Sequence, residues 1–311
     1  MNLISGKNRL VMTILLTGSN GFLGKTILDV LEQEHHFFTL SRSAGNYQLN
    51  LDKQIPDFQQ KFDLVIHAAG KAHSVPKTDA EKKEFHQVNV VGTENLLKGL
   101  ENSGIPAQFV FISSVAVYGQ ETGIAISEDF QLDAKDAYGL SKIEGEKVIL
   151  EWCKKNNVIC TILRLPLLVG QNPPGNLGSM MNAIKKGFYF NIGGGIAKKS
   201  MVLTKDVAKI ILVAAPKGGV FNLTDRVHPT FNELSVILAS NQNKKSPLNM
   251  PLFIAKLIGL IGDVLGDKVP INTNKVKKIT SDLTFDDSNA IHKLNWKPEP
   301  VLDFLRRENL L

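Results

Sequence analysis

Apolar runs of strand length alternate with helical patterns over the first half of the chain. Strands are predicted at 13–18, 36–42, 63–70, 107–119 and 158–166, and helices at 22–34, around 79–103 and from about 137 to 156. Strands that are apolar along most of their length and separated by helices are typical of a parallel sheet covered on both faces. The predicted fold class is therefore α/β, with a doubly wound parallel sheet of the Rossmann type.

The pattern changes after Pro166, where the sequence becomes richer in loops and more basic. We predict a Rossmann domain over 12–170, to which 201–230 returns. We predict a smaller C-terminal subdomain built from 171–200 and 231–311. Shorter elements and loops of this kind are where binding residues are often found.

The most hydrophobic window is PLFIAKLIGLIGDVLG (251–266), which Lys256 and Asp263 interrupt. It is shorter than the roughly 20 apolar residues that span a bilayer. We predict an amphipathic helix that packs on the rest of the fold, with contact to a membrane surface as the alternative. No segment indicates a membrane span or a secretory signal.

The net charge of +6 is unevenly distributed, since residues 171–311 hold 19 Lys and Arg against 11 Asp and Glu. A basic half can attract an anionic ligand or nucleic acid. No zinc-finger spacing or interleaving of aromatic and basic residues supports nucleic acid, so we expect none, and we expect most lysines to form a solvated face. Two cysteines, Cys153 and Cys160, indicate buried thiols in a reducing compartment, and we predict a cytoplasmic protein.

The segment TGSNGFLG places Gly18, Gly21 and Gly24 between a predicted strand and a predicted helix. Glycines in this context permit a tight turn and close approach of a pyrophosphate to the helix N-terminus. An acidic residue about 20 positions later usually holds the adenosine ribose. Here LSRSAG supplies Ser41 and Arg42 instead. Arginine can pair with a 2′-phosphate, so this site favours NADP, with NAD left open.

A second set of polar residues lies at the carboxyl end of the strand at 107–114. Ser113 and Ser114 end the strand, and Tyr138 and Lys142 follow on the next predicted helix. Positions four apart share one helical face, so the phenol and the ammonium are expected to lie close together. Ligands of open α/β sheets bind at the carboxyl ends of strands. The pair is either a surface coincidence or a proton-transfer device, and with the strand-end serines it forms a coherent set of polar residues.

The glycine turn, the strand-end Ser and the Tyr-x-x-x-Lys pair, in this order, resemble the extended short-chain dehydrogenase/reductase superfamily in its nucleotide-sugar epimerase/dehydratase branch. Further matches are HAAG (67–70), VNVVGTENLL (88–97), RLPLLVGQ (164–171) and LTFDDSNAIHKLNWKPE (283–299). The resemblance extends from Thr13 to about Pro300. It implies a Rossmann fold, a nicotinamide cofactor and a UDP-sugar substrate.

The resemblance implies a role for each catalytic residue. Tyr138 would be the acid/base for a sugar hydroxyl or carbonyl, and Ser114 would position the same oxygen. The ordinary pKa of tyrosine is about 10. Lys142 and an oxidised nicotinamide are expected to lower the pKa of Tyr138 towards neutrality, and Lys142 would also hold the nicotinamide ribose.

The resemblance also implies two sets of binding residues. The cofactor would contact Gly18, Asn20, Gly21, Phe22, Leu23, Gly24, Ser41, Arg42, Leu51, Asp52, Ala68, Ala69, Gly70, Asn89, Tyr138, Lys142 and Pro166. The substrate would contact Lys71, Ser113, Ser114, Val115, Asn176 and Lys199, and the subdomain after Pro166 would be the substrate-binding one. Lys199 stands where the family usually has an arginine for the diphosphate, which retains the charge and loses the bidentate geometry.

The reaction type depends on the residues after Ser114. The family's 4,6-dehydratases carry Asp-Glu there, whereas this chain has Val115 and Ala116, which disfavours dehydration. Arg42 and a likeness to bacterial polysaccharide-cluster enzymes favour reduction of a 4-keto sugar over C4 epimerisation. The alternatives are a 4-epimerase of UDP-glucose or UDP-GlcNAc that retains NAD, and a non-catalytic NAD(P)-sensing protein.

Two expectations concern metals and assembly. His67 and His73 have no partner at zinc-like spacing, so we expect no metal site and a packed or hydrogen-bonded His67. Relatives often pair two long helices in a dimer. We therefore expect a homodimer through the helices near 79–103 and 137–156.

Overall fold

The computed structural model describes residues 11–72, 76–265, 272–308 and 310. Its strands are β1 Thr13–Thr17, β2 His36–Ser41, β3 Tyr47–Gln48, β4 Leu64–His67, β5 Gln108–Ser114, β6 Gly123–Ile126, β7 Ile159–Leu165, β8 Leu167–Val169, β9 Phe190–Ile192, β10 Met201–Leu203, β11 Gly219–Asn222, β12 Leu248–Met250 and β13 Leu283–Phe285. Its helices are α1 Phe22–Leu31, α2 Asp79–His86, α3 Gly92–Ser103, α4 Ala137–Lys155, α5 Gly175–Lys186, α6 Thr204–Ala214, α7 Phe231–Asn241, α8 Leu252–Leu265, α9 Thr273–Thr280, α10 Ser288–Leu294 and α11 Val301–Arg307. His73 lies outside the described residues.

Seven parallel strands form the central sheet, in the order β11-β7-β5-β4-β1-β2-β3. Alternate residues of β1 point to the two faces, because successive side chains of a strand do so. Ile14 and Leu16 pack with Ile27 of α1 in one core, and Leu15 packs with Leu97 of α3 in the other. The predicted doubly wound α/β fold is confirmed.

The helix expected around 79–103 consists of three consecutive helical segments. Thr78 caps α2 through a capping box with Glu81. A π-helical turn, Gln87–Val91, then connects α2 to α3. Gly104 is the C-cap residue of α3 and has a φ of 124°. Single π-turns inside α-helices occur frequently at functional sites. This one carries Asn89, which is described below.

A second core lies beyond the sheet, mainly in the C-terminal half. It is formed by side chains of α5, α7, α11 and β10, among them Met180, Leu234 and Leu305. The short parallel pairs β8–β10, β9–β12 and β6–β13 surround it or join it to the first half. Within 201–230, the segment predicted to return to the Rossmann domain, β11 pairs with β7 of the sheet. The segment around α10, placed with 231–311 in the prediction, packs Ala290 and Trp296 into the core beneath the sheet.

Residues Leu252–Leu265 of the hydrophobic window form α8, but the packing of this helix differs from the expectation. The small residue Ala255 faces inward, whereas Phe253 and Leu257 are exposed. A helix that packs by a small-residue side leaves its large apolar side chains in solvent, which is the reverse of an amphipathic packing helix. In the described part of the chain, no helix is long and apolar enough to cross a membrane.

Candidate active site

The glycine turn after β1 is packed too tightly to admit side chains. Gly18 has a φ of +75° and donates its N–H to the carbonyl of Leu40, at 3.0 Å. A Cβ on Gly18 would lie 2.7 Å from the backbone N of Ala69, and a Cβ on Gly24 would lie 2.1 Å from the carbonyl O of Gly18. Both positions therefore require glycine, Gly18 also because of its positive φ.

The same turn leaves the N-terminus of α1 open to an anion. Gly21 is the N-cap residue, and it supplies no side-chain cap to the first N–H groups of the helix, which begins Phe22-Leu23. Free N–H groups and the helix dipole at this end favour a negative phosphate. A tight glycine turn with an uncapped helix start fits the pyrophosphate of a dinucleotide.

The ends of β2 and of the following loop lie beside this turn. The amide of Asn20 donates to the hydroxyl of Ser41, at 2.9 Å, and Arg42 is exposed. The carbonyls of Leu51 and Asp52 accept from Asn95 and Gln87, at 2.8 and 2.7 Å respectively. These bonds fix the backbone where the adenosine half of the cofactor is expected to bind. The guanidinium of Arg42 lies in solvent beside it.

The turn after β4 is attached to two other elements. The backbone N of Ala69 donates to the hydroxyl of Thr17, at 3.2 Å. The side chain of Asn89 accepts from the backbone N of Lys71, at 2.6 Å. A Cβ on Gly70 would lie 3.1 Å from Oδ1 of Asn89 and 3.5 Å from Nζ of Lys142. The structure thus brings the predicted residues Gly70, Asn89 and Lys142 together.

Asn89 also connects this turn to α4. Its amide nitrogen donates to the carbonyl of Lys71, at 3.1 Å, and to the hydroxyl of Ser141, at 2.8 Å. The side chain is 3% exposed, so its hydrogen-bonding capacity is used for positioning. Ser141 was not predicted, although its place directly before Lys142 was the available signal.

The first turn of α4 is set by Asp136. Its carboxylate accepts from the backbone N of Tyr138 and of Gly139, at 3.1 and 3.0 Å. An N-cap of this kind satisfies N–H groups that otherwise have no partner. It places Tyr138 at the open end of the helix, above the carboxyl edge of the sheet.

Tyr138 lies against Ser114 and Phe85. The ring of Phe85 meets the tyrosine ring edge to face, with centroids 6.1 Å apart. Burial raises the pKa of Tyr138, a hydrogen bond from Ser114 partly offsets this, and the Asp136 carboxylate raises it further. We expected Lys142 to lower the pKa of Tyr138, but Lys142 is not among the described groups that shift it. The phenol is therefore protonated at neutral pH in this structure.

Lys142 is directed to the sheet, which explains that difference. Its ammonium donates to the carbonyl of Ile112, at 2.9 Å, and lies 4.6 Å from the ring centroid of Phe111. Burial lowers the pKa of Lys142 to about 8, and the Glu146 carboxylate opposes that shift. A cation with this pKa is still mostly charged at pH 7 and lies next to Gly70.

Ser113, a predicted substrate contact, lies in a buried network. It is 3% exposed, and its hydroxyl donates to Oε1 of Glu146, at 2.5 Å. Glu146 pairs with Arg164, with Nη2 and Oε2 2.7 Å apart, and both side chains are buried. Arg164 also donates to the hydroxyl of Tyr118, at 3.1 Å. Ser113 belongs to this buried network because it lies one residue deeper in the strand than Ser114.

Sequence reasoning overlooked Glu146. It lies four residues after Lys142, so the spacing Tyr-x-x-x-Lys-x-x-x-Glu was the signal that could have identified it. Its carboxylate anchors Arg164 and faces Lys142. It therefore links the reactive end of α4 to the core beneath the sheet.

The remaining predicted substrate residues each have a different partner or position. The ammonium of Lys71 pairs with Glu84 of α2, and Val115 begins the short 3-10 helix Val115–Tyr118 that Ser114 caps. Asn176 is exposed at the second residue of α5. The ammonium of Lys199 donates to the carbonyl of Lys278 in α9, at 2.9 Å.

Pro166 and His67 complete the predicted positions. Pro166 is half-buried between β7 and β8. The ring nitrogens of His67 hydrogen-bond the hydroxyls of Thr17, at 2.6 Å, and Thr93, at 2.9 Å. Burial, aided by the charge of Lys142, lowers the pKa of His67 to about 3, so it is a neutral core residue. Among the described residues, no group of three His, Cys, Asp or Glu is arranged to hold a metal ion.

Comparison with curated proteins identifies relatives along nearly the whole chain. A UDP-glucose 4-epimerase of Vibrio cholerae is 29% identical over 318 residues, which covers 96% of this chain and 94% of the relative. An N-acetyl-alpha-D-glucosaminyl-diphospho-ditrans,octacis-undecaprenol 4-epimerase of Escherichia coli O157:H7 is 28% identical over 296 residues, covering 88% and 87%.

The fold is also that of solved structures. The structure of RMD from Pseudomonas aeruginosa, complexed with NADPH, matches with a TM-score of 0.70 at 21% identity, covering 96% of this chain and 100% of that one. The family model described as NAD dependent epimerase/dehydratase family matches residues 14–224. The chain belongs to this family, and it is an NAD(P)-dependent extended short-chain dehydrogenase/reductase.

Proposed function

We propose that this enzyme transfers hydride at C4 of a UDP-linked hexose derivative. The observation that carries the proposal is that Ser114 lies close enough to Tyr138 to lower its pKa, while Lys142, on the same helix as Tyr138, lies beside Gly70. A bound nicotinamide would supply the hydride acceptor and donor. The protein would hold the sugar, move one proton and exclude water.

The proton would move at the phenolic oxygen of Tyr138. A phenol whose pKa is raised by burial is a suitable acid for a C4 carbonyl oxygen, because it is protonated at neutral pH. The opposite direction needs the phenolate. Lys142 would favour the phenolate once its ammonium turns from Ile112 towards the site, and it would also hold the ribose hydroxyls. Ser114 would donate a hydrogen bond to the sugar oxygen.

The absence of titratable side chains after Ser114 supports redox chemistry without loss of water. Val115 and Ala116 occupy the positions that would carry an acid and a base in a dehydratase. Neither side chain can take up or release a proton. The enzyme therefore would leave C5 and C6 of the sugar unchanged.

Between the two remaining outcomes, we place C4 epimerisation first. Both relatives described above, which match at least 87% of their own length, are named 4-epimerases. This reverses the order favoured by the sequence, where Arg42 pointed to NADP and to a 4-keto reductase. The reductase remains the second candidate, because Arg42 is exposed beside the predicted adenosine site and free to meet a 2′-phosphate.

One experiment separates these outcomes. The purified enzyme is denatured, released cofactor is identified by mass spectrometry, and native enzyme is incubated with UDP-glucose and UDP-GlcNAc without added cofactor. Near-stoichiometric NAD and conversion at C4, observed by NMR, support the epimerase. Turnover of a 4-keto sugar only with added NADPH supports the reductase. Failure to turn over any UDP-sugar, with NAD or NADPH present, would contradict the proposal.

The name of one relative supports a role for this enzyme in surface polysaccharide biosynthesis. The Escherichia coli relative is named for a sugar linked to undecaprenyl diphosphate. A lipid-linked sugar is therefore a second substrate class to include in the assay. Lys199 and Asn176 would contact the diphosphate, and the loop-rich second half would set the choice of sugar.

Two further expectations belong to this proposal. The unpaired Cys153 and Cys160 fit the reducing cytoplasm, where nucleotide sugars are made. We also propose a homodimer through α2–α3 and α4. Leu140 and Leu150 of α4 are each 43% exposed, which supports an apolar contact there. A monomer at micromolar concentration in sedimentation velocity would contradict the dimer.

A further inference from the structure

Among its described side chains, helix α8 exposes several large apolar ones and buries Ala255. Phe253 is 72% exposed, Leu257 59%, Leu260 57% and Ile261 51%. With about 100° between successive residues of a helix, these four side chains occupy one face about 100° wide. A contiguous apolar face of this size on a folded protein marks a site of interaction.

The helix is held in this orientation by its opposite side. A Cβ on Gly259 would lie 3.2 Å from the backbone N of Thr273 at the start of α9, and Ala255 is 1% exposed. The carboxylate of Asp263 accepts from the backbone N of Thr273, at 3.2 Å, and from its hydroxyl. The apolar face is therefore presented outward by specific packing.

The apolar surface continues into the two strands that precede and contact α8. Leu248 of β12 is paired directly with Phe190 of β9, and the two are 71% and 42% exposed. Phe188, two residues before Phe190, is 73% exposed. Gly193 directly follows β9, and a Cβ on it would lie 3.7 Å from Cβ of Leu252, so the end of β9 lies next to the start of α8. We refer to Phe188, Phe190, Leu248, Phe253, Leu257, Leu260 and Ile261 as the apolar patch.

The apolar patch is accompanied by positive charge. Between residues 244 and 280, the described residues include one acidic side chain, Asp263, and six exposed lysines. The lysines are Lys244, Lys245, Lys256, Lys275, Lys277 and Lys278. Lys278 pairs with Glu121, and Asp263 is bound to Thr273. The surroundings of the patch therefore complement an anionic surface.

This combination fits a lipid surface better than a protein surface. Lysine is depleted in the cores of protein–protein interfaces. Helices that lie in the plane of a membrane combine a lysine-bearing side with Phe and Leu on the other side. At 14 residues, α8 is about 21 Å long, too short to span a bilayer but long enough to lie along one.

We propose that α8, with β9 and β12, docks the enzyme on the surface of an anionic lipid bilayer. Phe253, Leu257, Leu260 and Ile261 would enter the boundary between headgroups and acyl chains. The lysine ammonium groups would contact lipid phosphates while their aliphatic stems cover apolar surface. This docking goes beyond the proposed reaction and does not depend on it.

The test is co-sedimentation of the full-length protein with vesicles of phosphatidylglycerol and phosphatidylethanolamine, and with vesicles of phosphatidylcholine alone. We expect binding to the first, weakened by added salt, and at least about 10-fold weaker binding to the second. The double variant Phe253→Ser, Leu257→Ser should lower partitioning at least about 10-fold, because it removes apolar surface that enters the bilayer. The matched control Val213→Ser changes a 44% exposed apolar residue on α6 and should bind as the native protein does.

The readouts distinguish docking from catalysis and from self-association. Thermal unfolding and turnover of a water-soluble UDP-sugar should be unchanged in the double variant, since both side chains are exposed. Native protein that ignores anionic vesicles, or a double variant that binds them normally, would overturn the proposal. So would a change of the double variant from dimer to monomer without loss of vesicle binding. An enzyme that binds vesicles but turns over no UDP-sugar would leave docking intact and contradict the proposed function.

Discussion

Ser113 and Ser114 are neighbours at the end of β5, yet they meet different surroundings on the same helix. Ser114 lies close enough to Tyr138 to lower the pKa of its phenol. Ser113 donates to Glu146, which is paired with Arg164, and all three side chains are buried. The first pair keeps polar atoms within reach of a ligand, whereas the second uses them within the protein.

The difference shows that depth along a strand decides what a polar residue does. Inside the sheet a buried hydroxyl or carboxylate must find a protein partner, because an unpaired buried polar group is costly. One residue further, at the carboxyl edge, the same hydroxyl can leave part of its capacity for a substrate. We therefore expect substitution of Ser113 to affect mainly stability and substitution of Ser114 to affect mainly activity.

The largest effect on stability should come from Arg164→Met. Removing the guanidinium leaves the Glu146 carboxylate buried without its cation, which typically costs about 3–5 kcal/mol. We expect that loss in the free energy of unfolding, measured by urea denaturation. The double variant Arg164→Met, Glu146→Leu should recover most of it. A single variant as stable as the native protein would show that the pair is not what holds α4 to β7.

The largest effect on catalysis should come from Tyr138→Phe. We expect turnover to fall about 10²-fold or more, because the proton donor is removed, while cofactor affinity stays nearly unchanged. Tyr118→Phe is the matched control. The hydroxyl of Tyr118 donates to Asn222, at 2.7 Å, deep in the protein. Its loss should lower the free energy of unfolding by about 1–3 kcal/mol and leave kcat within a few-fold. Equal turnover in both variants would contradict the role of Tyr138.

His67 extends the comparison to pH. Its folded pKa of about 3 lies below the ordinary value of 6.5, so the unfolded chain binds more protons between these values. Stability is therefore fully present above pH 6.5 and falls on acidification at up to about 1.4 kcal/mol per pH unit, which amounts to about 2 kcal/mol from pH 7.5 to 5. His67→Gln should flatten this dependence, whereas His36→Gln, at an exposed site, should retain it. Identical pH profiles for all three proteins would show that His67 does not titrate on unfolding.

The smallest effects should come from the two serines themselves. Ser114→Ala should lower kcat/KM about 10-fold, because the hydroxyl beside Tyr138 and the substrate is lost. It should lower the free energy of unfolding by no more than about 1 kcal/mol, because the same hydroxyl accepts from the backbone N of Ala116. Ser113→Ala should lower the free energy of unfolding by about 1–2 kcal/mol, because Glu146 loses a buried donor, and leave kcat/KM nearly unchanged. Exchange of these two results would reverse the assignment of the serines.

Local sequence determined the sheet, the glycine turn and the order of the candidate catalytic residues. Apolar runs, a helix start and positions four apart depend only on neighbours along the chain, so β1, α1 and the Tyr138–Lys142 pair could be predicted. The requirement for glycine at Gly24 is likewise local, since the atom that excludes a side chain belongs to Gly18. The roles of these residues stay predictions that the proposed kinetics can test.

Only the tertiary structure decided where polar atoms and exposed faces lie. The burial of Ser113, the pairing of Glu146 with Arg164 and the direction of Lys142 towards Ile112 depend on elements distant in sequence. The outward face of α8 depends on the way Gly259 packs on Thr273. Sequence periodicity predicts that a helix has an apolar side. Which side is buried depends on how closely each side packs against the neighbouring elements.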